Sequence, residues 1–176
     1  MQKWLRESEL NELKSFKCLG DKAATIPTFE ELIQFCQKHK VKMVCEIKNP
    51  QLYPSGELEN KVLDTIDKYQ AFEDTVLIES FDFDALSIVH KRNPNFKIGA
   101  LFLKPFNYKP IPSFATYVCP MAESVFINPW ILFNTKQQGK KIVLWFAFFE
   151  AFLLPFFVFL GVDGVIIDDP RLLKQR

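Results

Sequence analysis

The sequence predicts an α/β fold built on a parallel sheet of about six strands. Three observations carry that reading. β-rich runs alternate with helical patterns at about 30-residue spacing, the rhythm of right-handed βαβ crossovers. The 176 residues are 48% apolar, enough for one well-filled core and too few for two ordinary domains. No G-x-G-x-x-G run follows a strand, and there are only six glycines, which argues against an open doubly wound dinucleotide binder. A complete (βα)8 barrel takes about 250 residues. A barrel solution would therefore be an incomplete (βα)8 TIM-type barrel, about two units short.

The elements follow in order. A polar helix is expected over residues 3–16, then a loop to Pro27. Thr28 with Glu31 three residues later is a capping-box signature, and Phe29, Leu32, Ile33 and Cys36 continue at helical spacing. VKMVCEIK, residues 41–48, is a strand closed by Asn49-Pro50. After the Pro54-Ser55-Gly56 turn, Leu58, Val62, Leu63 and Ile66 mark a helix. A strand over 75–81, a helix capped by Asp82, and strands over 97–103 and 124–129 come next. The last unit comprises a strand from 141, an apolar segment to Leu160, and GVDGVIIDDP.

Charge and cysteine content exclude several functions. Lys plus Arg number 22 against 21 Asp plus Glu, so electrostatic capture of nucleic acid has no basis. Cys18, Cys36, Cys45 and Cys119 form no CxxC pair and are read as free thiols in a reducing compartment. The mixed-charge start MQKWLRESELNELKSF lacks the apolar segment of a secretory signal, so the expected location is cytoplasmic. Membrane association is the alternative, because residues 142–160 carry a single charge, Glu150, and seven of the 19 phenylalanines lie between Phe146 and Phe159. A length of 19 residues suits a membrane span. Glu150 would cost about 2.5–3.5 kcal/mol near a bilayer centre, and Pro155 interrupts the segment, so a buried strand followed by a helix is the favoured reading.

Several segments, in order, resemble the glycerophosphodiester phosphodiesterase family: IPTFEEL at 26, the CEIK strand ending at Lys48 and followed by Tyr53-Pro54, VLIESFDFDAL at 76, INP at 127, KKIVLW at 140 and LGVDGVIIDDP at 160. The resemblance implies that residues 26–176 form part of a (βα)8 barrel, its third through eighth strands, behind a polar helix and loop over 1–25. It implies hydrolysis of a glycerophosphodiester to glycerol 3-phosphate and an alcohol. The family's upstream His-Arg-Gly, Glu-Asn, Glu-x-Asp and His-Asp motifs have no counterpart here, and the first 25 residues contain no histidine. One edge of the site is expected and the other is not, so no catalytic residue is assigned and turnover by this chain is expected to be absent or nearly so.

Alternation puts Lys42, Val44, Glu46 and Lys48 on one strand face and Val41, Met43, Cys45 and Ile47 on the other. The apolar odd face should meet the helices, and the even face should look into the barrel at the C-terminal strand end. In the family the Glu matching Glu46 is a ligand of a divalent cation, and the Lys matching Lys48 approaches the phosphate. A hard carboxylate suits Ca²⁺ or Mg²⁺, and a cation offsets the diester's charge. Trp145 resembles the family's Trp that contacts the glycerol or head group, although Thr-Val-Asn after it is replaced by Phe146-Ala147-Phe148. Glu79, phased with Leu77 and Phe81, also faces the lumen, with solvent or Lys48 as its expected neighbour rather than a metal. Asp82 is read as a helix cap, and Asp168 and Asp169 as rim or turn caps. His39 and His90 fall on helices, where a dipole interaction explains them. Beyond the substrate, the expected partners are a second copy through open sheet edges and a membrane through residues 142–160, with no nucleic acid.

Overall fold

The computed structural model describes residues 8–17, 25–48, 54–70, 76–106 and 110–173. The first described helix, α1 (Leu10–Ser15), buries no side chain. It covers part of the expected 3–16 helix, of which residues 3–7 lie outside the described residues. Helix α2 (Phe29–His39) starts at the capping box read from the sequence. The Glu31 amide donates to Thr28 Oγ1 at 3.2 Å and the Thr28 amide to Glu31 Oε2 at 2.8 Å.

Six strands follow, each pairing in parallel with the next in sequence: β1 (Met43–Glu46), β2 (Val76–Ser80), β3 (Lys97–Phe102), β4 (Tyr117–Pro120), β5 (Lys141–Trp145) and β6 (Gly164–Ile166). Helices α3 (Glu57–Lys68), α4 (Phe83–Arg92), α5 (Ala122–Ile127), α6 (Trp130–Gln137) and α7 (Glu150–Phe159) occupy the connections. Parallel pairing with helices in the crossovers is the half-barrel arrangement the alternation predicts; among the described residues only the β3–β4 connection lacks a helix, and α5 and α6 share the β4–β5 connection.

Period-two alternation sorts the strands' side chains. Met43, Val76, Ile78, Ile98 and Ala100 join Ile33, Leu63, Ile66, Leu86 and Val89 of the helices in one core. Phe102, Val118, Ile142 and Leu144 join Val125, Ile131, Leu153 and Phe157 in a second. The opposite strand face carries Leu101, Cys119 and Val143, with Tyr117, Trp145 and Ile166 packed against them. This second face is the lumen.

One element departs from the sequence reading. The run at 124–129, expected as a strand, is the end of α5 and the turn after it, and the strand lies earlier, at Tyr117–Pro120. Ala122 and Val125, three residues apart, are buried, while Phe126 and Ile127 face outward. Helical spacing thus wins over the β-branched composition of Val-Phe-Ile. The regular β4–β5 ladder covers only Tyr117–Lys141 and Val118–Ile142, then resumes as a bridge between Met121 and Trp145. Pro120 has no N–H to give to the gap.

Residues 142–160 divide as expected into a buried strand and a helix. Helix α7 has ten residues with Pro155 inside it, and among the described residues no helix is long and apolar enough to cross a membrane. It leaves Phe152 and Phe159 at 77% and 85% exposure, so the apolar face is only partly covered.

Candidate active site

The C-terminal ends of β1 and β2 build the polar part of the lumen. Met43 and Ile47 are buried against the helices, whereas Val44 is exposed and Glu46 points to the other face, which is the phasing read from the sequence. Lys48 Nζ lies 3.0 Å from Glu46 Oε2. The strand end is pinned from β2: the Ile47 amide donates to the Glu79 carbonyl at 2.8 Å, and Ser80 Oγ donates to the Ile47 carbonyl at 2.7 Å. Ser80 Oγ also accepts from the Asp82 amide at 3.0 Å. The Glu46-Ile47-Lys48 segment is therefore held by backbone and by a buried hydroxyl, not by its own turn.

Glu79 is the register partner of Glu46 and is only 3% exposed. Its carboxyl is hydrogen-bonded to the Cys119 thiol. Burial raises the carboxyl to about 7; the Cys119 bond opposes the rise, nearby Glu46 adds to it, and Lys48 offsets it. Burial likewise pushes the Cys119 thiol well above its ordinary range, with Glu79 adding to the rise. The Cys45 thiol is raised to about 11 by burial and then by Glu79 and Glu46. Gly99 makes this crowding feasible. A Cβ there would stand 2.9 Å from Cys119 Sγ and 3.1 Å from Glu79 Cβ.

The lumen thus holds two carboxylates on adjacent strands, one lysine and one thiol, Cys119, while Cys45 packs on the helix side of β1. Glu46 Oε1 is buried with no hydrogen-bond partner. A buried acceptor left without a partner costs more than an ordinary hydrogen bond contributes. A hard cation is a natural complement to such an oxygen, so the residues present fit a divalent ion, although among the described residues no three His, Cys, Asp or Glu side chains converge on one point. Burial holds the Cys119 thiol in the protonated state, which disfavours soft metals.

The other sequence candidates separate cleanly. Trp145 closes the far side of the lumen at the end of β5. Its indole Nε1 donates to the Cys119 carbonyl at 3.2 Å, and Phe81, at the end of β2, meets its ring edge-on with centroids 5.6 Å apart. The replaced segment after Trp145 turns against α5, with the Phe148 amide donating to Glu123 Oε1 at 2.6 Å. Asp82 caps α4 through the Asp84 amide at 2.9 Å. Asp169 is paired with Arg171, whose hydrogen bonds hold its carboxyl below the usual carboxylate range. His39 ends α2 beside Phe35, and His90 lies in α4 stacked on Phe114 at 4.5 Å; both belong to the outer helix layer. Cys36, Cys45 and Cys119 are free thiols, and Cys18 and Tyr53 lie outside the described residues.

Sequence reasoning missed Gly99, Cys119 and Phe81. Strand phasing places each on the lumen side, but which phased residues touch depends on strand order and register, and neither is written in a single strand.

Comparisons with known proteins agree with this architecture. A model of the glycerophosphoryl diester phosphodiesterase family matches residues 1–172. The chain is 28% identical over 194 aligned residues to a glycerophosphodiester phosphodiesterase of Caldanaerobacter subterraneus subsp. tengcongensis, covering 97% of this chain and 71% of that protein. It is 27% identical to a glycerophosphodiester phosphodiesterase of Bacillus altitudinis, covering 88% of this chain and 64% of that protein. Among solved structures, a glycerophosphodiester phosphodiesterase from Parabacteroides distasonis superposes with a TM-score of 0.74 at 18% identity, covering 93% of this chain and 68% of the other. A phosphodiesterase of Oleispira antarctica, solved in complex with the product sn-glycerol-3-phosphate, superposes with a TM-score of 0.70 at 20% identity, covering 96% of this chain and 70% of the other. At these identities the structures establish the fold, a TIM-type barrel of which the described residues of this chain form six strands.

Proposed function

Since the chain belongs to the glycerophosphoryl diester phosphodiesterase family, we propose that its lumen is the cation- and phosphate-facing part of a site for glycerophosphodiester hydrolysis. The reaction takes a glycerophosphodiester and water to glycerol 3-phosphate and an alcohol. The observation that carries the reading is the Glu46–Lys48 pair at 3.0 Å, at the C-terminal end of a strand, where barrel sites are built.

Each residue has a separate task. Glu46 would hold the divalent cation, Ca²⁺ or Mg²⁺, through the oxygen that Lys48 leaves free. When bound there, such an ion supplies Lewis-acid polarisation of the phosphoryl oxygens and offsets the diester's charge. Lys48, 73% exposed at its side chain, swings its ammonium toward a phosphate oxygen as a mobile point charge. Trp145 and Phe81 form the wall on which the glycerol or the head group rests.

Proton transfer is where this chain is poor. Its two histidines both lie on outer helices, so neither delivers a proton to the lumen. General acid and general base contributions are worth about 10² to 10⁴ each, and losing both forfeits about 10⁴-fold or more. The proposed chain binds the diester and its product but turns over slowly. Calorimetry with glycerol 3-phosphate and Mg²⁺ should give binding that weakens in Glu46→Gln and in Lys48→Met, alongside slow hydrolysis of glycerophosphocholine. Unchanged binding in both variants refutes the site, and rapid hydrolysis refutes the assignment of slow turnover.

A second reading rests on the aromatic surface of α5 to α7, where Phe126, Trp130, Phe149, Phe152 and Phe159 are exposed. Of these, Phe126, Phe149 and Phe152 line one apolar depression with Ile127 and Leu153, and apolar surface of that kind marks interaction sites. On that reading the chain is a non-catalytic module that self-associates through the free edges of its sheet or lies on a membrane through residues 142–160. Light scattering and vesicle flotation decide it: a monomer that stays off vesicles removes both arms.

A further inference from the structure

We propose that Glu79 supplies a second carboxylate to the divalent-cation seat opened by Glu46, so that a hard ion such as Ca²⁺ or Mg²⁺ is held between two adjacent strands. The inference rests on the reading of the lumen as a cation and phosphate site and adds a ligand to it.

Three independent features converge on Glu79. First, the register pairs it with Glu46 across the β1–β2 ladder, and paired residues of parallel strands project to the same face from backbones about 4.8 Å apart. Second, each carboxyl has an unused oxygen. Glu46 gives Oε2 to Lys48 and keeps a buried Oε1 without a partner, while Glu79 is bonded to Cys119 and keeps a buried Oε2 without a partner. Third, Glu79 is 3% exposed, and an unsatisfied buried acceptor is expensive.

The surroundings remove other complements. Lys48 already pairs with Glu46, and no arginine lies on either strand. The thiol of Cys119 is engaged with Glu79. Gly99 lets the Cys119 thiol and the Glu79 carboxyl crowd together on the β3 side, where a Cβ would stand 2.9 Å from Sγ and 3.5 Å from Oε2. One dication placed between the strands would satisfy both orphaned oxygens and cancel the repulsion between the carboxylates. Mg²⁺ is commonly held by one or two carboxylates, with water and substrate phosphate completing the shell. Two carboxylates facing a phosphate-binding lysine match that donor set.

The test uses the full chain with MgCl₂ or CaCl₂ as probe, read by calorimetry and by melting temperature relative to EDTA. Near-ultraviolet circular dichroism verifies that Glu79→Gln and Glu46→Gln remain folded, and Glu79→Asp serves as the variant that keeps the charge. The expected result is a dication-dependent rise in melting temperature for the wild type, with affinity reduced at least about tenfold in Glu79→Gln and partly retained in Glu79→Asp. Wild-type affinity in Glu79→Gln together with loss in Glu46→Gln overturns the inference and leaves the Glu46 seat standing. Absence of any dication response in the wild type overturns both.

Discussion

Replacing Glu79 with glutamine should change how stability depends on pH, by an amount the structure sets. Burial lifts the folded-state carboxyl from an ordinary 4.5 to about 7. Between those values the folded chain binds the proton more tightly than the unfolded chain does. Stability from this group is thus fully present below about 4.5, falls as pH rises through the window, and stays low above about 7. Linkage with these two pKa values puts the loss between pH 5 and pH 8 at about 2.5 kcal/mol. Glu79→Gln keeps the shape and removes the titration. Urea unfolding in EDTA at several pH values, for both proteins, isolates the difference, because the other carboxylates titrate in both. The variant should gain on the wild type by about 2.5 kcal/mol from pH 5 to pH 8, about 5–10 °C in melting temperature for a chain of this size. Parallel pH profiles for the two proteins would refute the reasoning.

Three further outcomes are expected. Gly99→Ala places a Cβ 2.9 Å from Cys119 Sγ and should cost about 1–3 kcal/mol in urea unfolding, with part of it recovered when Cys119→Ala is added; a neutral Gly99→Ala would mean the lumen is looser than the contacts indicate. Thr28→Ala removes the acceptor of the Glu31 amide and should lower stability by about 1 kcal/mol, measured the same way. Phe152→Ser, at a position 77% exposed, should alter stability by less than about 0.5 kcal/mol while reducing binding of a hydrophobic dye, and a large loss of stability would show that α7 packs more tightly than its exposure implies.

Much of the fold was readable because the parallel units are locally signalled. Thr28 and Glu31 announce a helix start wherever they stand, and the Met43–Ile47 alternation carries its own inside and outside. The expectation failed where local signals conflict. Tyr117-Val118-Cys119 sits between Pro112 and Pro120, which read as loop, while Val125-Phe126-Ile127 has strand composition; burial of Ala122 and Val125 on one helical face decides the matter, and that burial is a tertiary fact. The site divides the same way. Phasing located Glu46, Lys48 and Glu79 in the lumen, but the contact of Glu79 with Cys119 spans 40 residues and two strand ladders and passes over a glycine whose role is to be absent. No pattern within one strand encodes it.

The indole of Trp145 has a single donor, and that donor is committed to the Cys119 carbonyl beside the gap left by Pro120. A side chain fastened in this way has no hydrogen bond left to offer a visitor. What remains available is its π-face, so a molecule docking against it would be sorted by bulk and by positive charge, and hydroxyl patterns would go unread there. Discrimination among polar alcohols would have to come from elsewhere on the rim, whereas quaternary ammonium groups would find this wall attractive without any directional contact.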